Sequence, residues 1–342
     1  NMVKLSRFGG PVDADRLAAA FATVVAASGT LATRIVDDGS GPVIQDVPGP
    51  AVTEVVDLPA EDALAWADDR LRTPIDVAVR PYDSVVLRHP DGTASWYLGL
   101  HHLVTDAASS ALVFAQTAAV YHGGSPELDS YETWVRRTTT DDSPRSERAR
   151  RPWGARRQAD GLGRLYQPVG RQVPDSHRVP VPGLVAPTDA YRLLTDELTW
   201  TVFLMTATAV LVNRVTGAHE FSIGLPVHNR TIADAQRVIG PVMEVFPVDV
   251  TVDPDDTLQS LHKRLAKAVM GTIRHAVPGT APAGDYEVVV NVIPGVELGP
   301  FGDVPVVHHA LDSGAIDAGH LLRVQLNAYG EDGEALLLDV ND

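Results

Sequence analysis

The chain has 342 residues, 44% hydrophobic and 21% charged, and its 44 acidic against 28 basic side chains give a formal charge of −16. That acidic excess disfavours nucleic acid as the main partner, and no apolar run reaches the length of a membrane span. There is no cysteine, which excludes disulfides, thiolate metal sites and a cysteine nucleophile. With no signal-peptide pattern at Asn1-Met2-Val3-Lys4, the expected location is the cytoplasm.

Taken in order, Met2 to Arg7 reads as a strand and Gly9-Gly10-Pro11 as a turn. Asp13 is placed to cap a helix over Ala14 to Ala26, with Leu17, Ala18, Phe21, Val24 and Val25 as its buried stripe. Strand-like pieces follow at 32–36, 43–47 and 52–58, and a helix at 61–71. Tyr82 to Arg88, the turn residues Pro90-Asp91-Gly92-Thr93, and Ala94 to His102 form a predicted hairpin. From Ala107 to His122 the pattern turns helical, with Ala108, Leu112, Ala115 and Ala119 at three- and four-residue spacing.

The hairpin delivers two adjacent histidines, His101 and His102, followed by Asp106 at the head of the helix. Adjacent residues on an extended segment point to opposite faces, so the pair is not expected to share a metal, and no other ligand cluster is evident. One imidazole reaching solvent suits a single acid/base histidine, whose pKa lies near working pH. Asp106 has two readings: it caps the helix by accepting the N–H of Ala108 or Ser109, or it pairs with a buried arginine elsewhere. Neither makes it a proton acceptor.

Beyond a short helix over Tyr131 to Arg136, residues 138–171 carry Arg145, Arg148, Arg150, Arg151, Arg156, Arg157, Arg164 and Arg171. Such a charge run reads first as a solvated arm, and second as arginines that meet acidic or phosphate groups of a partner. Trp200 to Val215 is an apolar helix ending at Gly217. Phe221 to Arg230 reads as a strand into a turn; Arg230 is either buried with a carboxylate partner or an ordinary loop residue. Thr257 caps a helix over Leu258 to His275 whose apolar face is Leu261, Leu265, Val269 and Ile273. Tyr286 to Ile293 is a strand containing the polar Asn291, which needs partners. A second histidine pair, His308-His309, has no aspartate at the same offset and reads as a loop or strand-edge feature; 321–329 and 334–340 close the chain as a hairpin.

The run Leu98-Gly99-Leu100-His101-His102-Leu103-Val104-Thr105-Asp106-Ala107 resembles the H-H-x-x-x-D-G core motif of nonribosomal peptide synthetase condensation domains, within the chloramphenicol acetyltransferase-like superfamily. Ile223-Gly224-Leu225-Pro226 through Arg230, and Ile239-Gly240 through Pro247, resemble two further family motifs. The sequence departs at Ala107, where the family has glycine, and at Glu244, where asparagine is usual. The resemblance implies an α/β (α+β sandwich) fold of two acetyltransferase-like lobes in a V shape, with a tunnel between them. On that basis 1–142 is the first lobe, 143–174 an Arg-rich inter-lobe segment and 175–342 the second lobe. A segment ahead of Met2 and a closing helix after Asn341, usual in the family, are expected to be missing.

The resemblance assigns catalysis to His102 and structural roles to His101, Asp106 and Arg230, the last two in a salt bridge between the lobes. It places Ala107 at the oxyanion loop, and Asn291, Glu244 and Ser109 along the tunnel. It implies acyl or aminoacyl transfer from the phosphopantetheine thioester of a carrier protein to an amine or a hydroxyl, as in antibiotic biosynthesis. No bound cofactor or metal, no nucleic acid and no membrane is expected. Alternatives are a stand-alone O- or N-acyltransferase with a diffusible acceptor, and a non-catalytic docking module, which Ala107 keeps open.

Overall fold

A computed structural model describes residues 2–47, 49–141, 143–155, 176–181, 200–230, 233–282, 286–293, 298–311, 320–327 and 335–341. In chain order the elements are β1 (Met2–Phe8), α1 (Ala14–Ala27), β2 (Thr33–Asp37), β3 (Pro42–Asp46), β4 (Glu54–Asp57), α2 (Ala63–Arg70), β5 (Tyr82–Arg88), β6 (Ala94–Leu100), α3 (Ala107–Tyr121), α4 (Tyr131–Thr139) and α5 (Pro144–Ala155). They continue with β7 (Ser176–Val181), α6 (Trp200–Thr216), β8 (Glu220–Val227), α7 (Ala233–Gln236), β9 (Glu244–Thr251), α8 (Leu258–His275), β10 (Val288–Ile293), β11 (Val306–Leu311), β12 (Leu322–Asn327) and β13 (Ala335–Asn341). None of these helices is long and apolar enough to cross a membrane.

The chain divides into two compact units, neither contiguous in sequence. The first comprises Asn1–Arg137, Arg230–Val242 and Val296–Ser313; the second comprises Thr138–Asn229, Met243–Gly295 and Gly314–Asp342. The Arg230–Val242 segment therefore leaves the second unit between two of its paired strands, β8 and β9, and belongs to the first.

A sheet of order β11-β1-β6-β5-β4 organises the first unit. Both faces of its central strand are covered, which is why β6 is buried at every position and reads as a continuous apolar run. On one face Leu17, Phe21 and Val24 of α1 and Val113 and Phe114 of α3 pack with Trp96, Leu98 and Leu100. On the other, Ala63 and Ala67 of α2 meet Val85, Leu87 and Tyr97. The expected hairpin forms, β5 and β6 pairing from Tyr82–Leu100 to Arg88–Ala94. Asp13 caps α1 by accepting the N–H of Arg16.

The spacing that marks α3 as a helix does not itself mark its buried side. Ala115 and Ala119 are exposed, while Ser110, Val113, Phe114, Thr117, Ala118 and Tyr121 face inward. Alanine fits either side of a helix, and the larger side chains decide which is removed from water.

The second unit holds a sheet of order β7-β13-β12-β10-β8-β9, with α6 and α8 supplying Met205, Ala209, Val212, Leu261, Leu265 and Val269 to its core. Thr257 caps α8 through a reciprocal pair with Ser260. Thr272 rather than Ile273 completes its buried face, Ile273 being 46% exposed. Part of the Arg-rich segment is helical, as α5; Arg156, Arg157, Arg164 and Arg171 lie outside the described residues.

Candidate active site

Strand β6 ends at Leu100, so the two histidines occupy a turn rather than the extended strand expected for them. The N–H of Val104 donates to the carbonyl of His101 at 3.1 Å and closes that turn. The chain is tied back where the N–H of His101 donates to the carbonyl of Pro81 at 2.9 Å. His101 is half-buried, and its Nδ1 accepts the N–H of Leu103 at 3.2 Å. Burial, then neighbouring positive charge that includes His102, lowers the His101 pKa. An acceptor Nδ1 and a lowered pKa both favour a neutral ring. His102 is exposed. The turn, and not strand alternation, gives the two rings their different surroundings.

Asp106 follows at the head of α3, 2% exposed. Its Oδ1 accepts the N–H of Ser109 at 2.7 Å and Nη2 of Arg230 at 2.9 Å; its Oδ2 accepts Nη2 of Arg230 at 3.1 Å and the N–H of Val242 at 3.1 Å. Helix capping and arginine pairing, raised as alternatives from the sequence, are both present. A carboxylate engaged by this many donors serves as structure and not as a base.

Arg230 and Ser109 complete a bracket. Nη1 of Arg230 donates to the carbonyls of Ala235 at 2.6 Å and Val238 at 2.9 Å, and Nη2 to Ser109 Oγ at 2.8 Å and to the Gly240 carbonyl at 3.3 Å. Ser109 Oγ also donates to the carbonyl of Gly240 at 2.8 Å and accepts its N–H at 3.0 Å. Gly240 is required by space: a Cβ there would run into the ring of Tyr131. Ser109, expected along a tunnel, is fully buried and spends its hydroxyl on this bracket. Nor does the Asp106–Arg230 ion pair join one unit to the other, because Asp106, Ser109, Arg230, Gly240 and Val242 all belong to the first unit.

Ala107 begins α3 with ordinary helical backbone. Among the described residues Asn229, at φ 52°, is the non-glycine residue with positive φ. Alanine at 107 is therefore compatible with the loop.

Glu244 and Asn291 belong to the second unit. Asn291 is half-buried on β10, in register with Gln325 of β12. Oε2 of Glu244 accepts Nδ2 of Asn229 at 2.8 Å and the N–H of Gly279 at 2.9 Å. Burial raises the Glu244 pKa, opposed by donors from Gly279, Ala281 and Asn229. Asn229 and Glu244 thus stand just before and just after the segment that enters the first unit, and their side chains clasp its neck. The backbone donors at Gly240 and Val242 were not identified from sequence; the quoted Ile239-Gly240 motif was the available signal. Among the described residues no group of three or more His, Asp or Glu side chains is disposed to hold a metal ion.

Residues 1–279 match the condensation-domain family. The chain belongs to it. An isonitrile lipopeptide synthase of Streptomyces coeruleorubidus is 30% identical over 295 residues, covering 80% of this chain and 20% of that protein. The condensation domain thus spans a fifth of the length of that relative. The condensation domain of the Monacolin K polyketide synthase superposes with a TM-score of 0.79 at 16% identity, covering 100% of this chain and 86% of the other. The first condensation domain of the calcium-dependent antibiotic synthetase, in complex with a substrate analogue, gives 0.75 at 22% identity, covering 99% and 85%. Both are mixed α/β folds of the same kind as this condensation domain.

Proposed function

We propose that this condensation domain transfers an acyl or aminoacyl group from the phosphopantetheine thioester of a carrier protein to an amine or a hydroxyl. The observation that carries this reading is the bracket of Asp106, Arg230, Ser109 and Gly240, which holds the turn presenting the exposed imidazole of His102. The acceptor heteroatom attacks the thioester carbonyl carbon, forming the amide or ester bond and breaking the C–S bond. His102 takes the proton leaving the acceptor or holds that hydrogen in a productive pose, and the departing pantetheine thiolate is reprotonated. Thioesters are already activated, so positioning accounts for much of the acceleration. The N-terminus of α3, starting at Ala107, offers N–H groups and a favourable dipole to the developing oxyanion. His101 stays neutral and holds the turn, and Asp106 and Arg230 hold the loop.

The test is product formation followed by mass spectrometry. The protein is mixed with acyl-pantetheine and acyl-carrier donors and a panel of amines and alcohols, with His102→Ala alongside. The relation to a lipopeptide synthase puts fatty acyl thioesters first among the donors. Product that requires His102 supports the reading, and the accepted nucleophile decides amide against ester and carrier-bound against diffusible acceptor. Binding of a loaded carrier with no product at any acceptor supports the docking-module alternative instead.

A further inference from the structure

Strand alternation sorts β1 into two faces. Val3 and Leu5 turn to the α2 side, where they pack with Ala63 and Tyr97. Phe8 turns to the α3 side, its ring 4.7 Å from that of Phe301, which lies 6.0 Å from Phe114 of α3. Lys4 and Ser6 share the face of Phe8. Their neighbours across β6 are Leu98 and Trp96, both in the apolar core. Across β11 they face Ala310 and His308. A lysine, a serine and a histidine are thus set side by side on the inner face of a sheet, where polar groups are costly to bury.

Two of the three satisfy each other. His308 Nδ1 lies 2.8 Å from Ser6 Oγ, and its ring is edge-on to Phe114. They make a neutral polar wall. Lys4 brings an ammonium beside it: the lysine charge contributes to lowering the His308 pKa, and burial lowers its own to about 8. The spot is reached from outside, because Lys4 and His308 are half-buried and Ala310, in register with Lys4, is exposed.

Position ties this wall to the histidine turn. Tyr121, at the end of α3, accepts the N–H of Asp13 just beyond β1, so the helix runs along β1 in the same direction. Its first turn therefore stands over the Met2 end of the strand, with Ser110, 5% exposed, one turn ahead of Phe114. Met2 pairs with Leu100, the last strand residue before the histidines, and Lys4 follows about 7 Å along β1. Lys4, Ser6, Ser110, His308 and the histidine turn all belong to the first unit.

We propose that Lys4, with the Ser6–His308 pair beside it, is a specificity determinant for the donor, selecting an acyl chain that carries a carboxylate. The inference rests on the acyl-transfer reading, which puts the thioester at the first turn of α3 and its acyl chain along this wall. A desolvated ammonium is stabilised by an anion that can hydrogen-bond it, and the compact charge of lysine suits a single carboxylate. The neutral wall offers hydrogen bonding without a competing charge. A plain hydrocarbon chain gains nothing from an ammonium and leaves it without a new partner.

Two measurements on the intact chain test this. The first is calorimetric binding of the non-transferable amide analogues of succinyl-, adipyl- and suberyl-pantetheine, each against the plain acyl analogue of equal length, to wild type and Lys4→Met. Wild type should prefer the carboxylated analogue by about tenfold or more at one chain length. Lys4→Met should invert the preference while the melting temperature holds or rises, since methionine fills the space without the desolvated charge. The second measurement needs no stable variant at the site. The chain holds three lysines, Lys4, Lys263 and Lys267, so NMR of isotope-labelled lysine resolves Lys4 once Lys263→Arg and Lys267→Arg have assigned the other two signals. The Lys4 pKa should rise with the carboxylated analogue and stay put with the plain one. Equal affinity for both analogues at every length overturns the inference, as does an unchanged ratio in Lys4→Met or a Lys4 signal indifferent to the carboxylate. Transfer from the matching thioesters keeps the two readings apart. Carboxylate preference in binding with transfer from neither thioester fails the acyl-transfer reading and leaves the anion site standing; transfer without preference fails the anion site alone.

Discussion

Two His-His pairs belong to the first unit, one inside an edge strand and the other in a turn just beyond a central strand. His308 and His309 lie inside β11, an edge strand paired with β1, where Ser6 faces His308 and Leu5 faces His309. There the alternation of a strand holds: His308 turns to the α3 side, its Nδ1 2.8 Å from Ser6 Oγ and its ring edge-on to Phe114 at 4.8 Å. Burial, with Lys4 and His309 adding to it, lowers the His308 pKa to about 4, which makes it a neutral packing group. His101 and His102 come just after a central strand has ended, in a turn anchored to Pro81, and His102 emerges exposed. The dipeptide is the same; a strand interior buries its polarity, while a braced turn leaves one ring exposed.

The sharpest way to break this contrast is His102→Ala. Transfer from acyl-pantetheine should fall about 10²–10⁴-fold with no change in melting temperature; His308→Gln should leave the rate within a few-fold. Equal losses from both would erase the distinction.

Next comes the brace. Asp106→Ala leaves the guanidinium of Arg230 buried without its carboxylate, and should cost about 3–5 kcal/mol in denaturant unfolding, with activity falling in parallel. An unchanged unfolding midpoint would show that the turn does not need the ion pair.

His308 supplies a pH signature. Its folded pKa of about 4 lies below the ordinary 6.5, so between those values the unfolded chain binds the extra proton and stability rises with pH. This contribution is fully present above 6.5 and is lost as pH falls toward 4. His308→Gln should flatten that stretch of the stability curve, measured by thermal melts across pH. Burial acts on His101 in the same direction, so some acid sensitivity should remain.

The smallest effect is expected from Ala107→Gly. The position has ordinary helical backbone, so restoring the family's glycine should change stability by less than about 1 kcal/mol and preserve or raise the rate. A large loss of activity would mean that the loop depends on the methyl group.

Much of this was legible beforehand. The hairpin that delivers the histidines, the Asp13 and Thr257 caps and the edge placement of His308-His309 follow from turn residues, cap residues and strand patterning. The Asp106–Arg230 pair was reached through the family resemblance, because nothing local links residues 124 apart. The rest of the bracket was hidden for a different reason. Its donors and acceptors at Ala235, Val238, Gly240 and Val242 are backbone groups, which every sequence carries and none advertises. The face of α8 was misjudged at Ile273, where a single apolar residue weighs less than the surrounding volume. The expected Asp106–Arg230 pair forms, but within the first unit, because the Arg230–Val242 segment is sequentially remote from the unit that contains it.

That segment, clasped at its neck by Asn229 and Glu244, sets a timetable for biosynthesis. Asp106 leaves the ribosome 124 residues ahead of Arg230, roughly 6–25 s at ordinary elongation rates of about 5–20 residues per second. Throughout that interval its carboxylate lacks the guanidinium of Arg230, and β1 has no β11 beside it until later still. Truncation at any single point before residue 230 would strand the nascent chain in the same condition. The histidine turn is thus among the earlier parts of the chain to be made, and its brace waits on residues from the far side of the second unit's first strands.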